Sequence, residues 1–127
     1  KLYELYNNLM LALAIRVNNL DELSNLITYI NGQNLLPQYV YILVKAELAD
    51  QGYSNLLAYS ANLCMQSKII SMETDVNLEI TNTVKVDYIV YLEDNMLLVK
   101  PNLLKKCKKN IIANKKMDKI RLIAGGL

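Results

Sequence analysis

The side chains able to do chemistry in this sequence are carboxylates and amines. There is no histidine among the 127 residues. That removes the commonest general base near neutral pH, and with it the Ser-His and Cys-His nucleophile pairs. Only Cys64 and Cys107 carry thiols, and two cysteines without histidine cannot close a structural zinc site unless carboxylates complete it. Two acidic pairs remain, Asp75 with Glu79 and Glu93 with Asp94. Paired carboxylates can hydrolyse a glycoside or hold a magnesium ion. Neither pair comes with a supporting motif, and carboxylates in turns and on exposed strand faces are ordinarily just solvated. Four glycines supply neither a P-loop nor a dinucleotide fingerprint. The residues thus point to no catalytic, metal or cofactor site and no small-molecule substrate. A metal-dependent hydrolase or nuclease is a third class without support.

The amines are distributed unevenly. Net charge is +2, but residues 1–99 hold five basic residues against eleven acidic ones, while residues 100–127 hold nine against Asp118 alone. This basic end is the clearest functional hint. Lys105, Lys106, Lys108, Lys109, Lys115, Lys116, Lys119 and Arg121 could neutralise nucleic-acid phosphates, with steep salt dependence, or meet an acidic protein. One Arg and no aromatic residue in this segment argue against base readout and base stacking. Membrane insertion would be weak, because the apolar face holds only small and medium side chains.

Composition suits a single folded domain. Hydrophobic residues make up 53% and charged residues 20% of the chain, with no Phe and no Trp. No apolar run is long enough to span a bilayer. The absence of N-x-Ser/Thr sites and of a disulfide framework fits an intracellular protein. The chain begins at Lys1 rather than Met, as an excised fragment or processed product would.

Periodicity divides the chain into a helical part (1–70), a β part (71–100) and a basic helix with a tail (101–127). Leu2, Leu5, Leu9, Ala12, Leu13, Arg16 and Val17 follow helical spacing. A second helix begins at an Asp21 N-cap, buries Leu23, Leu26, Ile27 and Ile30, and stops at Gly32. Pro37 opens a third helix that ends at Gly52, with a short buried strand at 39–44 as the competing reading. Ser54 caps a fourth helix. Residues 46–63 resemble a tetratricopeptide-type helical hairpin, 33 residues being the offset of a faint internal repeat. A winged-helix arrangement fits less well, since Lys68 is the only base on its recognition helix.

Beyond residue 70 the period is two. Val76, Leu78 and Ile80, then Val84, Val86, Tyr88, Val90 and Leu92, predict two strands joined by a three-residue loop, with Glu79 opposite Lys85. Met96–Lys100 completes a three-stranded antiparallel meander. In that register Ile89, Tyr91, Leu97 and Val99 make one corner of the sheet apolar on its second face as well, to be covered by the protein's own helices or by a protein partner. Leu103, Leu104, Cys107 and Ile111 form the apolar arc of the basic helix, and 120–124 a last strand. The expected architecture is α+β: antiparallel helical hairpins, a β-meander and a basic helix. The expected function is a non-catalytic protein-interaction or assembly module that associates with a partner or with itself. The alternative is a largely sequence-independent nucleic-acid binder.

Overall fold

The computed structural model describes residues 10–19, 21–75, 78–79, 87–93, 98–113 and 122–124. Its elements are β1 (Leu11–Val17), α1 (Glu22–Asn31), β2 (Tyr39–Val44), α2 (Ala46–Ser60), β3 (Gln66–Ser71), β4 (Tyr88–Leu92), α3 (Leu103–Ala113) and β5 (Leu122–Ala124). The strands form one sheet in the order β3-β2-β1-β4-β5. Every recorded pairing is parallel. Helix and sheet are both present, but the architecture is α/β, and the antiparallel meander is corrected to a parallel sheet.

The central strand explains the first error. Residues 11–17 are buried on both sides of the sheet, Arg16 alone being intermediate. A strand covered on both faces reads as a continuous apolar run rather than an alternating one. Such a run satisfies helical spacing as well as strand spacing, so the helix expected over 2–17 is strand at 11–17; residues 1–9 lie outside the described part. The competing strand reading at 39–44 matches β2 to the residue, and Pro37 precedes a strand instead of opening a helix. Helix α2 then runs through Gly52 and Ser54 without a break. An interior glycine costs a helix only about 1 kcal/mol, which tertiary packing offsets here. The tetratricopeptide-like segment is therefore one helix leading to strand β3.

The two faces of the sheet are built differently. On one, Leu11, Leu13, Ile15 and Val17 pack with Val40, Ile42, Val44, Val90 and Leu92, beneath Leu23, Leu26 and Ile30 of α1, Leu56 of α2, and Leu104 and Cys107 of α3. On the other, Ala12 stands level with Tyr39 and Ile89, and Ala14 with Tyr41 and Tyr91. The small side chains of β1 leave room for large ones on both neighbouring strands. Ala12, Ala14, Tyr41, Leu43, Ile70 and Ile89 are buried there. Burial pushes the Tyr41 hydroxyl up to about 12, helped by Tyr39, so Tyr41 stays neutral.

Helix starts and stops differ in detail from expectation. Asp21 occupies the N-cap position of α1 but makes no side-chain cap bond. Asn19 and Glu22 do that work reciprocally: Glu22 N–H donates to Asn19 Oδ1 (3.2 Å), and Asn18 N–H donates to Glu22 Oε2 (3.4 Å). Gly32 is the C-cap as expected, but with φ −87° rather than a left-handed conformation. Residues 78–79 are helical, not strand. Glu79 pairs with Lys68 at 3.2 Å, both side chains well exposed; the expected partner Lys85 lies outside the described residues. Residues 98–99 form a 3₁₀ turn, not a third strand. The final strand is present at 122–124.

One buried side chain ties distant segments together. Gln33, 5% exposed, donates through Nε2 to the carbonyls of Leu98 (2.8 Å) and Lys100 (3.0 Å) and accepts Leu104 N–H at Oε1 (3.2 Å). It thereby pins the end of α1 to the start of α3. Gln33→Leu keeps the bulk and strands these backbone groups, so it should destabilise the protein by roughly 2–4 kcal/mol, several groups each costing about 1–3 kcal/mol when left unpaired. Urea unfolding of the two proteins measures this; equal midpoints would show that Gln33 is dispensable.

Candidate functional site at the carboxyl edge of the sheet

In an open parallel sheet, ligands bind outside the carboxyl ends of the strands, where the strand order reverses. Chain order here runs β1-β2-β3 to one side and β4-β5 to the other. The reversal therefore falls between β1 and β4. Their pairing ends at Ile15 opposite Leu92, so Arg16 and Glu93 stand one step further on, at the carboxyl ends of two neighbouring strands.

The residues at this edge come from strand ends and the turns after them. Arg16 is the penultimate residue of β1, level with the apolar Leu43 of β2. Its Nε is buried and has no hydrogen-bond partner among the described residues. Among the described residues, no carboxylate lies within ion-pair distance of it. An unmade bond of this kind costs about 1–3 kcal/mol. Glu93 follows Leu92 directly and is exposed. Glu22 is also near this edge, but its carboxylate is occupied with Asn18 and Asn19. Lys45, after β2, is exposed. After β3 the chain turns sharply, Thr74 Oγ1 donating to the Ser71 carbonyl at 2.7 Å.

Of the paired carboxylates read from the sequence, Asp75 accepts Leu78 N–H at 3.2 Å and Glu79 is held by Lys68. Both are thus engaged locally. Glu93 stands exposed at the carboxyl end of β4; Asp94, next in sequence, lies outside the described residues. No group of three or more His, Cys, Asp and Glu side chains stands together among the described residues. Cys107 is fully buried in the larger core, its thiol pushed up to about 11 by burial. Cys64 is exposed on the way into β3, at the opposite edge from the crevice.

The basic end is only partly a surface. Leu103, Leu104, Cys107 and Ile111 are buried along α3 as their spacing predicts. Lys105, Lys106 and Lys109 are exposed, while Lys108 is 6% exposed. Burial holds the Lys108 amine below its ordinary pKa. Lys115, Lys116, Lys119 and Arg121 lie outside the described residues. Of the four patch residues, Ile89 is buried and Tyr91 half-buried, both on the second face of the sheet. Val99 is exposed in the 3₁₀ turn, and Leu97 is not among the described residues. No helix among the described residues is long and apolar enough to cross a membrane.

Arg16 is the residue that residue-by-residue reading missed. It was counted on the buried arc of a helix; its meaning depends on the strand order, which no local pattern carries. The chain matches no family model, no curated protein and no solved structure.

Proposed function

We propose that this chain is a nucleotide-binding α/β domain that takes its ligand at the carboxyl edge, in the crevice between β1 and β4, and uses it in metal-assisted group transfer. The observation that carries this reading is the reversal of strand order at β1, the position where open parallel sheets bind ligands. The turn after β1, Val17-Asn18-Asn19-Leu20-Asp21, has no glycine. It lacks the close backbone approach by which a dinucleotide fold cradles pyrophosphate. Phosphate charge must then be met by side chains or by a cation. Mg²⁺ is typically held by one or two carboxylates together with substrate phosphates and waters. Glu93, with Asp94 beside it in sequence, supplies such oxygens at one lip.

With no histidine in the chain and both thiols away from this edge, a direct displacement suits the site better than a covalent intermediate. An acceptor hydroxyl would attack the group carried by a nucleoside diphosphate. The diphosphate would leave with the bonding pair, its charge taken by the cation, and the hydroxyl proton would pass to a carboxylate or to water. A glycosyl or a phosphoryl group can be moved in this way.

A thermal-shift panel of nucleoside mono-, di- and triphosphates and nucleoside diphosphate sugars, with and without Mg²⁺ or Mn²⁺, tests the reading. One nucleotide class should raise the melting temperature by several degrees at saturation, and only with the cation. The double variant Glu93→Gln with Asp94→Asn should abolish that shift. A panel without any shift, or a shift indifferent to these carboxylates, would sink it.

The exposed Lys105, Lys106 and Lys109 on α3 support a second reading, backbone contact with nucleic acid. Changing these three to Glu should then abolish oligonucleotide binding that weakens steeply with salt. Binding that survives the change, or none at low salt, would remove this alternative.

A further inference from the structure

We infer that Arg16 is the residue that grips the diphosphate of the ligand, an assignment that rests on the crevice reading above. A guanidinium on the last turn of a central strand is out of place as core material. Its strand neighbour on one side is Leu43, and its Nε is buried without a partner among the described residues. Residues 11–15 and 17 of the same strand are all apolar and buried, so the strand would be filled equally well by another aliphatic side chain. Arg16 also stands where β1 and β4 part, one step beyond Ile15 and Leu92, with Glu93 at the same level on the neighbouring strand.

The chemistry of the group fits a diphosphate. A guanidinium is always charged, and its planar fork donates two parallel bonds to phosphate oxygens. It would take the negative charge directly on one side while a cation on Glu93 takes it on the other. This supplies from a side chain what a glycine-rich turn supplies from backbone N–H groups. The bound phosphate would also satisfy the Nε donor that the described residues leave unmet.

Titration calorimetry on the full chain tests this with inorganic pyrophosphate, uridine and adenosine diphosphates, and the two bare nucleosides, each with Mg²⁺ present. Arg16→Gln should weaken pyrophosphate and the diphosphates by about tenfold or more. Arg16→Lys, which keeps the charge but not the fork, should fall between. Binding of the bare nucleoside should not change, a result that a merely structural Arg16 would not give. Circular dichroism verifies folding, and if Arg16→Gln does not fold, Arg16→Lys and Arg16→Met carry the comparison. Equal diphosphate affinity in the variants, or equal loss for nucleoside and diphosphate, overturns the assignment. Nucleotide binding that ignores Arg16 leaves the crevice reading standing and removes this one. Arg16-dependent binding of pyrophosphate without any nucleotide does the reverse, and no binding at all removes both.

Discussion

Everything in this fold follows from the double burial of β1. The strand hydrogen-bonds to β2 on one side and β4 on the other, and it presents aliphatic side chains to one face and two alanines to the other. Backbone groups this deep must be paired, and the two parallel ladders do that. Once β1 is central, chain direction fixes the rest. Each parallel neighbour has to be reached by a crossover, which α1 and α2 provide toward β2 and β3. The return to β4 puts the reversal of strand order on the other side of β1.

The side-chain sizes show the same constraint. Leu and Ile on β1 face Val and Ile on β2 and Val and Leu on β4, which makes an aliphatic layer of even thickness under the helices. On the second face Ala12 sits between Tyr39 and Ile89, and Ala14 between Tyr41 and Tyr91. A larger residue at Ala12 or Ala14 would have to displace Tyr39, Tyr41 or Tyr91, which close packing resists. With no Phe and no Trp in the chain, tyrosine supplies the aromatic bulk, and Tyr41 is buried completely.

Elements with a one-sided pattern were legible in the sequence. Helix α1 was readable from Leu23, Leu26, Ile27 and Ile30, and α3 from Leu103, Leu104, Cys107 and Ile111, because each buries a single arc. Strand β2 was visible as an alternative at 39–44. Strand β1 was not, since a run apolar on every side has no period to betray it. The alternation through Tyr88, Val90 and Leu92 did mark β4, but alternation says nothing about parallel or antiparallel neighbours, so the pairing was assigned to the nearest strands in sequence. The site was legible only as types: Glu93-Asp94 was noted as a pair able to hold magnesium, yet a carboxylate in a turn looks the same whether it faces bulk water or a crevice. Arg16 acquires its meaning only when β1 and β4, far apart in the chain, lie side by side.

That separation has a kinetic side. The chain between β1 and β2 and between β2 and β3 is short, so the three strands on that flank can dock by closing small loops. Strand β4 joins β1 from far along the chain; Met10 and Asp87, which bond where the two strands begin, are 77 residues apart in sequence. Long-range closures of this kind slow folding because their entropy must be lost before the contact rewards it. The carboxyl ends of β1 and β4 come together only through that pairing, so chains that lack it also lack the proposed site. A molecule that binds between Arg16 and Glu93 would thus distinguish finished protein from collapsed intermediates, and its presence during refolding would draw the slowest molecules toward the native state.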